Sequence, residues 1–88
     1  MIERPFTVTN PSGLHARPAS LFVQLIQKFP GTEVLVTNGP RTVNARSLLS
    51  VLSLGVTPGT TISVRCAGPQ ETEAMEALRA LIEGGFGE

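Results

Sequence analysis

Three stretches of this 88-residue chain alternate apolar and polar side chains, and three others repeat apolar residues every three or four positions. That mixture constrains the fold most tightly. A period of two belongs to a strand with one buried face, and a period near 3.6 to an amphipathic helix. Met1 to Asn10 reads as a strand, with Phe6 and Val8 alternating with Thr7 and Thr9. Thr32 to Thr37 repeats the pattern with Val34 and Val36, and Thr60 to Ala67 with Ile62, Val64 and Cys66 opposite Thr61, Ser63 and Arg65. Asn38-Gly39 is a hairpin signal, since both residues tolerate positive φ, and it delivers a further strand over Arg41 to Asn44.

The helical periods fall between and after these strands. Ala19, Phe22, Val23 and Ile26 form a stripe on a helix expected from about Ala16 to Lys28, stopped by Pro30-Gly31, with Lys28 at the negative end of its dipole. Leu25 widens the buried face, and Leu21 is a candidate contact residue. Ser47 to Leu54 is a short helix closed by Gly55. The last helix opens with Glu71 and Glu73, buries Ala74, Met75, Leu78, Leu81 and Ile82, and ends at Gly84-Gly85, leaving Phe86-Gly87-Glu88 as a loosely held tail. The order β-α-β-β-α-β-α implies one half-buried antiparallel sheet with helices on one face, in a single domain over residues 1–88.

Composition removes several function classes. A net charge of +0, 16% charged residues, and four Phe with no Tyr or Trp leave neither a basic patch nor a stacking platform for nucleic acid. No apolar run reaches membrane-spanning length, and the N-terminus lacks a secretion pattern, so membrane insertion is not expected and the default location is cytoplasmic. The lone Cys66 cannot form an internal disulfide and reads as a small core residue. One histidine and one cysteine do not make a metal site, and no cofactor is called for.

That single histidine sits in Pro11-Ser12-Gly13-Leu14-His15-Ala16-Arg17-Pro18-Ala19, where turn chemistry gives way to a helix. Pro18 suits a first helical turn, where a missing N–H costs nothing. His15 therefore lies at or beside an N-cap, where free amides and the positive dipole end converge. A positive helix end disfavours imidazole protonation, which keeps a nucleophilic lone pair available, and Arg17 adds a permanent cation. A phosphoryl group on that nitrogen would meet helix amides and a guanidinium. Equally, a lone cap histidine can be a partly exposed polar residue and nothing more. No acidic residue lies near His15 in sequence to orient it as a base.

Gly13-Leu14-His15-Ala16-Arg17-Pro18-Ala19 resembles the active-site signature of the HPr family, histidine-containing phosphocarriers of the phosphoenolpyruvate-dependent sugar phosphotransferase system. Val43-Asn44-Ala45-Arg46-Ser47-Leu48-Leu49-Ser50-Val51-Leu52-Ser53-Leu54-Gly55-Val56 resembles the second signature of the same family, and the likeness runs from Phe6 to the C-terminus. The resemblance implies an open-faced β-sandwich of four strands and three helices. It implies phosphoryl acceptance on His15 through Nδ1, with Arg17 neutralising the phosphate, and Ser12, Ala16 and Pro18 completing the phosphate site. One departure stands out: the family has a single lysine-type residue after the Asn-Gly turn, where this chain has Pro40-Arg41. A proline cannot donate to a ladder, so a longer loop or a bulge is expected there, away from His15.

The short helix carries more apolar residues than a core needs. At about 100° per residue, Leu48, Leu49, Val51, Leu52 and Leu54 cover an arc of about 220°, where packing on a sheet asks for little more than about 100°. Some of them must face water or a partner. By resemblance, Leu48 and Leu49 form a docking patch, with Ser20 and Leu21 alongside. Ser47 is an N-cap by its chemistry, without a capping box because Ser50 replaces Glu or Gln. By the same resemblance, a dedicated ATP-dependent kinase phosphorylates the matching serine in many Gram-positive-type bacteria, and a charge of about −2 there would disturb the leucine patch.

These readings converge on a phosphoryl carrier rather than an enzyme. It would accept phosphate from phospho-enzyme I and pass it to enzyme IIA, with an HPr kinase/phosphorylase and a transcription regulator as further partners, and act as a monomer. The alternative in another class is an HPr-like regulatory interaction protein that controls transcription or nitrogen and carbon metabolism. A small enzyme using His15 as a base is the weakest reading, since the chain offers no paired acid.

Overall fold

The computed structural model describes residues 1–88. Its strands are β1 (Ile2–Val8), β2 (Glu33–Asn38), β3 (Arg41–Asn44) and β4 (Thr60–Ala67). Its helices are α1 (Ala16–Ile26), α2 (Leu48–Ser53) and α3 (Glu71–Glu83), followed by a 3₁₀ turn over Gly85–Gly87. The sheet runs β1-β4-β2-β3 with every pairing antiparallel, and the long β4 lies between β1 and β2. Each strand obeys its alternation: Phe6, Val8, Val34, Val36, Ile62, Val64 and Cys66 point into the core. On the open face Thr7 and Thr61, directly opposite in register, share a 3.0 Å hydroxyl contact. This is the α+β open-faced sandwich with three helices on one side.

The helices contribute unequally to the core. Ala19, Phe22 and Ile26 of α1 and Ala74, Met75, Leu78 and Ile82 of α3 are buried against the sheet. Helix α2 buries only Val51 among its six residues. A helix that short cannot persist through backbone bonds alone, and one buried valine supplies only about 2 kcal/mol. Polar groups hold its ends instead. Ser47 Oγ accepts from the Ser50 amide at the start. At the end, Asn38 Nδ2 donates to the Leu54 carbonyl at 2.9 Å, and the Arg41 guanidinium donates to the Ser53 carbonyl and hydroxyl.

Three expectations are corrected. Helix α1 stops at Ile26, not Lys28, because the Lys28 and Phe29 amides turn to carbonyls three residues back, of Leu25 and Ile26. The cation at this helix end is Arg46, whose guanidinium gathers the carbonyls of Ile26, Phe29 and Thr32. Pro40 produces neither a longer loop nor a bulge: Asn38 pairs with Arg41, so Gly39-Pro40 is a two-residue turn. Gly39 takes φ +61°, as the first central position of a type II′ turn demands, and the fixed φ of proline suits the second. Third, the tail is anchored. Phe86 is buried, and its backbone sits at φ 54°, ψ 25° between two left-handed glycines. Holding a phenylalanine there costs about 1–2 kcal/mol, which burial of the ring offsets.

Candidate functional site

The loop before α1 is tied at both ends. The Gly13 amide donates to the Asn10 carbonyl, and the Leu14 amide to the Val56 carbonyl at 3.0 Å. Gly13 has φ +59°, and a Cβ on it would lie 2.3 Å from the Val56 oxygen. No other residue type fits both the dihedral and the space. Leu14 is buried, so the chain emerges at His15 with a set direction.

His15 is the N-cap of α1. Its backbone is extended (φ −82°, ψ −167°), its carbonyl accepts from the Ala19 amide at 2.9 Å, and its side chain makes no capping bond. The ring is exposed to solvent. Pro18 fills the first turn without an N–H to leave unsatisfied and is itself buried. Two amides remain: those of Ala16 and Arg17 donate to nothing within the chain. They open to solvent at the positive end of an 11-residue helix, with the exposed Arg17 on the same turn.

The side facing Ser12 was not legible in the chain order. Glu88 returns to this loop, and its Oε1 accepts from the Ser12 amide at 3.1 Å and from Asn10 Nδ2 at 2.9 Å. Asn10 is buried, and its Nδ2 also donates to the Gly13 carbonyl at 2.9 Å. Both neighbours are acceptors, so the amide must turn its nitrogen to them, which leaves Asn10 Oδ1 buried without a partner. The bond from Asn10 chiefly, then those from Ser12 and the field of Arg17, hold the Glu88 carboxyl below the usual carboxylate range. With 76 residues between Ser12 and Glu88, no local pattern could announce the contact.

Helix α2 packs against α1 and bears the exposed apolar residues Leu48 (40%) and Leu49 (79%). Apart from Met1 they are the exposed large apolar side chains of the molecule. Ser47 is exposed at the start of that helix with its Oγ engaged by the Ser50 amide. Ser20 is half-buried and accepts from Gln24 Nε2. Leu21 belongs to the other flank of α1: with Leu25, Gln24, Lys28 and Leu81 it lines a groove of about 230 Å³ toward α3. Cys66 is sealed in the core, and burial first, then Glu71, pushes its thiol up, away from the range of a nucleophile.

Fold and site together define a small α+β sandwich that presents one exposed imidazole beside the unsatisfied amides of a helix start. The family model described as "PTS HPr component phosphorylation site" matches residues 2–84. The chain belongs to the HPr family, the phosphocarriers of the phosphotransferase system. It is 46% identical over 88 residues to the phosphocarrier protein HPr of Xylella fastidiosa, covering 100% of this chain and 98% of that protein. It is 42% identical over 83 residues to the HPr-like protein Crh of Halalkalibacterium halodurans, covering 94% and 98%. The crystal structure of HPr from Thermoanaerobacter tengcongensis superposes with a TM-score of 0.96 at 43% identity, covering 100% of this chain and 98% of that one. Membership carries the general role with it: phosphoryl carriage among phosphotransferase enzymes in sugar transport.

Proposed function

We propose that this chain accepts a phosphoryl group on His15 Nδ1 from phospho-enzyme I and passes it to enzyme IIA. The observation that carries the reading is the pair of free amides, Ala16 and Arg17, beside an exposed cap histidine. In acceptance, the Nδ1 lone pair forms the new N–P bond as the bond from phosphorus to the donor's nitrogen breaks, and that electron pair returns to the donor. The phosphoryl oxygens gain the two amides and the Arg17 guanidinium as donors, with Ser12 and Pro18 shaping the seat. In donation the same bond breaks toward the next acceptor. The partners supply the remaining catalysis, so the protein is a carrier and not an enzyme, needs no cofactor or metal, and works in the cytoplasm as a monomeric single domain over residues 1–88.

Docking falls to Leu48 and Leu49 with Ser20, and Leu21 extends the surface on the far flank of α1. An exposed patch this small suits brief encounters, since a carrier must release each partner. The test is transfer from radiolabelled phosphoenolpyruvate through enzyme I. His15 acquires the label in the native chain, and none is found in His15→Ala, which folds normally because the ring is exposed. Label elsewhere, or none in the native chain beside a labelled carrier, overturns the reading. Leu49→Ala weakens enzyme I binding about tenfold with stability unchanged, measured by titration calorimetry.

A second reading rests on Ser47, which is exposed and one residue from the apolar patch. In that reading an HPr kinase/phosphorylase modifies Ser47, and the phospho-form serves a transcription regulator. A kinase assay with Ser47→Ala as control separates the two.

A further inference from the structure

We propose that the segment from Leu54 to Thr57 is a spacer. It fixes how far a partner seated on Leu48 and Leu49 stands from His15, with Gly13 and Val56 as its positioning residues. The inference rests on the carrier reading and concerns how docking and acceptance are kept in register. A phosphoryl group passes between two nitrogens only when the reacting atoms come to about 3–3.5 Å and align. A docking surface therefore helps only if it stands at a set distance from the acceptor. Helix α2 does not supply that distance itself, being six residues long with Val51 as the one residue it buries.

The chain that follows α2 does. Leu54 and Val56 are both buried, with the exposed Gly55 between them at φ +65°. Other parts of the fold bond this segment and the turn after it. Asn38 Nδ2, on the β2–β3 hairpin, donates to the Leu54 carbonyl at 2.9 Å. The Leu14 amide, one residue before His15, donates to the Val56 carbonyl at 3.0 Å. The Gly59 amide donates to the Val8 carbonyl at the end of β1 at 2.7 Å. Gly13 is pressed on the same backbone: a Cβ there would run into the Val56 oxygen and come within 3.1 Å of the Thr57 Cα. The path from the leucine patch to the imidazole thus runs through bonded backbone: α2, its last amides at Leu54 and Gly55, the Val56 carbonyl and the Leu14 amide.

The test separates spacing from chemistry. Single-turnover transfer from phospho-enzyme I, followed by rapid quench, gives a saturating rate and a half-saturating concentration. Phosphoramidate, a small donor with no surface to dock, reports the reactivity of His15 alone. Gly13→Ala pushes the loop off the spacer. Gly39→Ala is its control, since that glycine has nearly the same φ, +61° against +59°, and nothing within 4 Å of an added Cβ. Gly13→Ala lowers the saturating rate about tenfold, with half-saturation and phosphoramidate labelling near native. Gly39→Ala leaves all of them in place. Should Gly13→Ala not fold, Val56→Ala and Val64→Ala make the same comparison, since each strips the methyl groups from a buried valine and only the first lies in the spacer. Val56→Ala slows saturated transfer about threefold, and Val64→Ala does not. A saturating rate unchanged in the spacer variant, an equal fall in its control, or a phosphoramidate rate that falls as far, overturns the spacer and leaves the carrier reading standing. If the native chain takes the group on His15 from phosphoramidate but not from phospho-enzyme I, the carrier reading falls and the spacer with it.

Discussion

Helices α1 and α2 begin in the same way on paper, each with a polar residue in extended backbone handing its carbonyl to the first turn, yet they treat their first amides oppositely. Ser47 closes α2 with its own hydroxyl, 3.3 Å from the Ser50 amide. His15 offers no such bond, Pro18 removes one amide outright, and two more are left facing water. A six-residue helix with a single buried valine needs its cap to exist. An 11-residue helix that buries Pro18, Ala19, Phe22 and Ile26 can forgo one. Packing elsewhere thus frees donors at the one end where an incoming anion can use them.

The strongest challenge to that contrast is to supply the missing cap. His15→Ser removes phosphoryl acceptance entirely while stabilising the protein by about 1 kcal/mol, read from urea unfolding beside a label-transfer assay. A loss of stability would mean that the imidazole already serves the helix. Arg17→Ala, which keeps both amides, slows transfer about a hundredfold in rapid-quench kinetics and leaves enzyme I binding near native. Loss of binding instead would move Arg17 from the phosphate to the docking surface. On the capped side, Ser47→Ala costs about 1 kcal/mol in unfolding and leaves His15 acceptance unchanged, because the two ends are independent.

The smallest effect is one of pH. The Glu88 carboxyl lies below its ordinary value through its bonds to Asn10 and Ser12 and the nearby Arg17. A depressed native pKa stabilises the folded form above the unfolded value of about 4.3 and is lost as pH falls through the native pKa. NMR titration should show Glu88 protonating below that value, with the Ser12 amide moving in step. Titration at or above it would show that the tail is not held by charge.

Near-neighbour patterns carried most of the architecture. Alternation in Thr60 to Ala67 named a strand with three buried residues, and the structure buries those three, because a pleat turns successive side chains to opposite faces whatever lies beyond. The leucine excess over Leu48 to Leu54 foretold exposed apolar residues, because a helix can turn only part of its circumference to a sheet. The cap position of His15 followed from turn residues before it and Pro18 after it. What the order of residues could not express is contact between distant segments. Lys28 lost the end of α1 to Arg46, which reaches three carbonyls only because the fold returns the segment after β3 to that helix end. Leu21 faces α3 because of how α1 lies on its neighbour. The tail looked loose on its glycines, and burial of Phe86 settled it otherwise.

The residues themselves determined the strands, the helices, the uncapped histidine and the surplus of apolar side chains, since each depends on neighbours within one turn or one pleat. Only the folded chain decided that a glutamate at the far end would stand over the loop leading to that histidine. Local stereochemistry acts over a few bonds, whereas the charges around a site are set by whatever the core brings within a few ångströms.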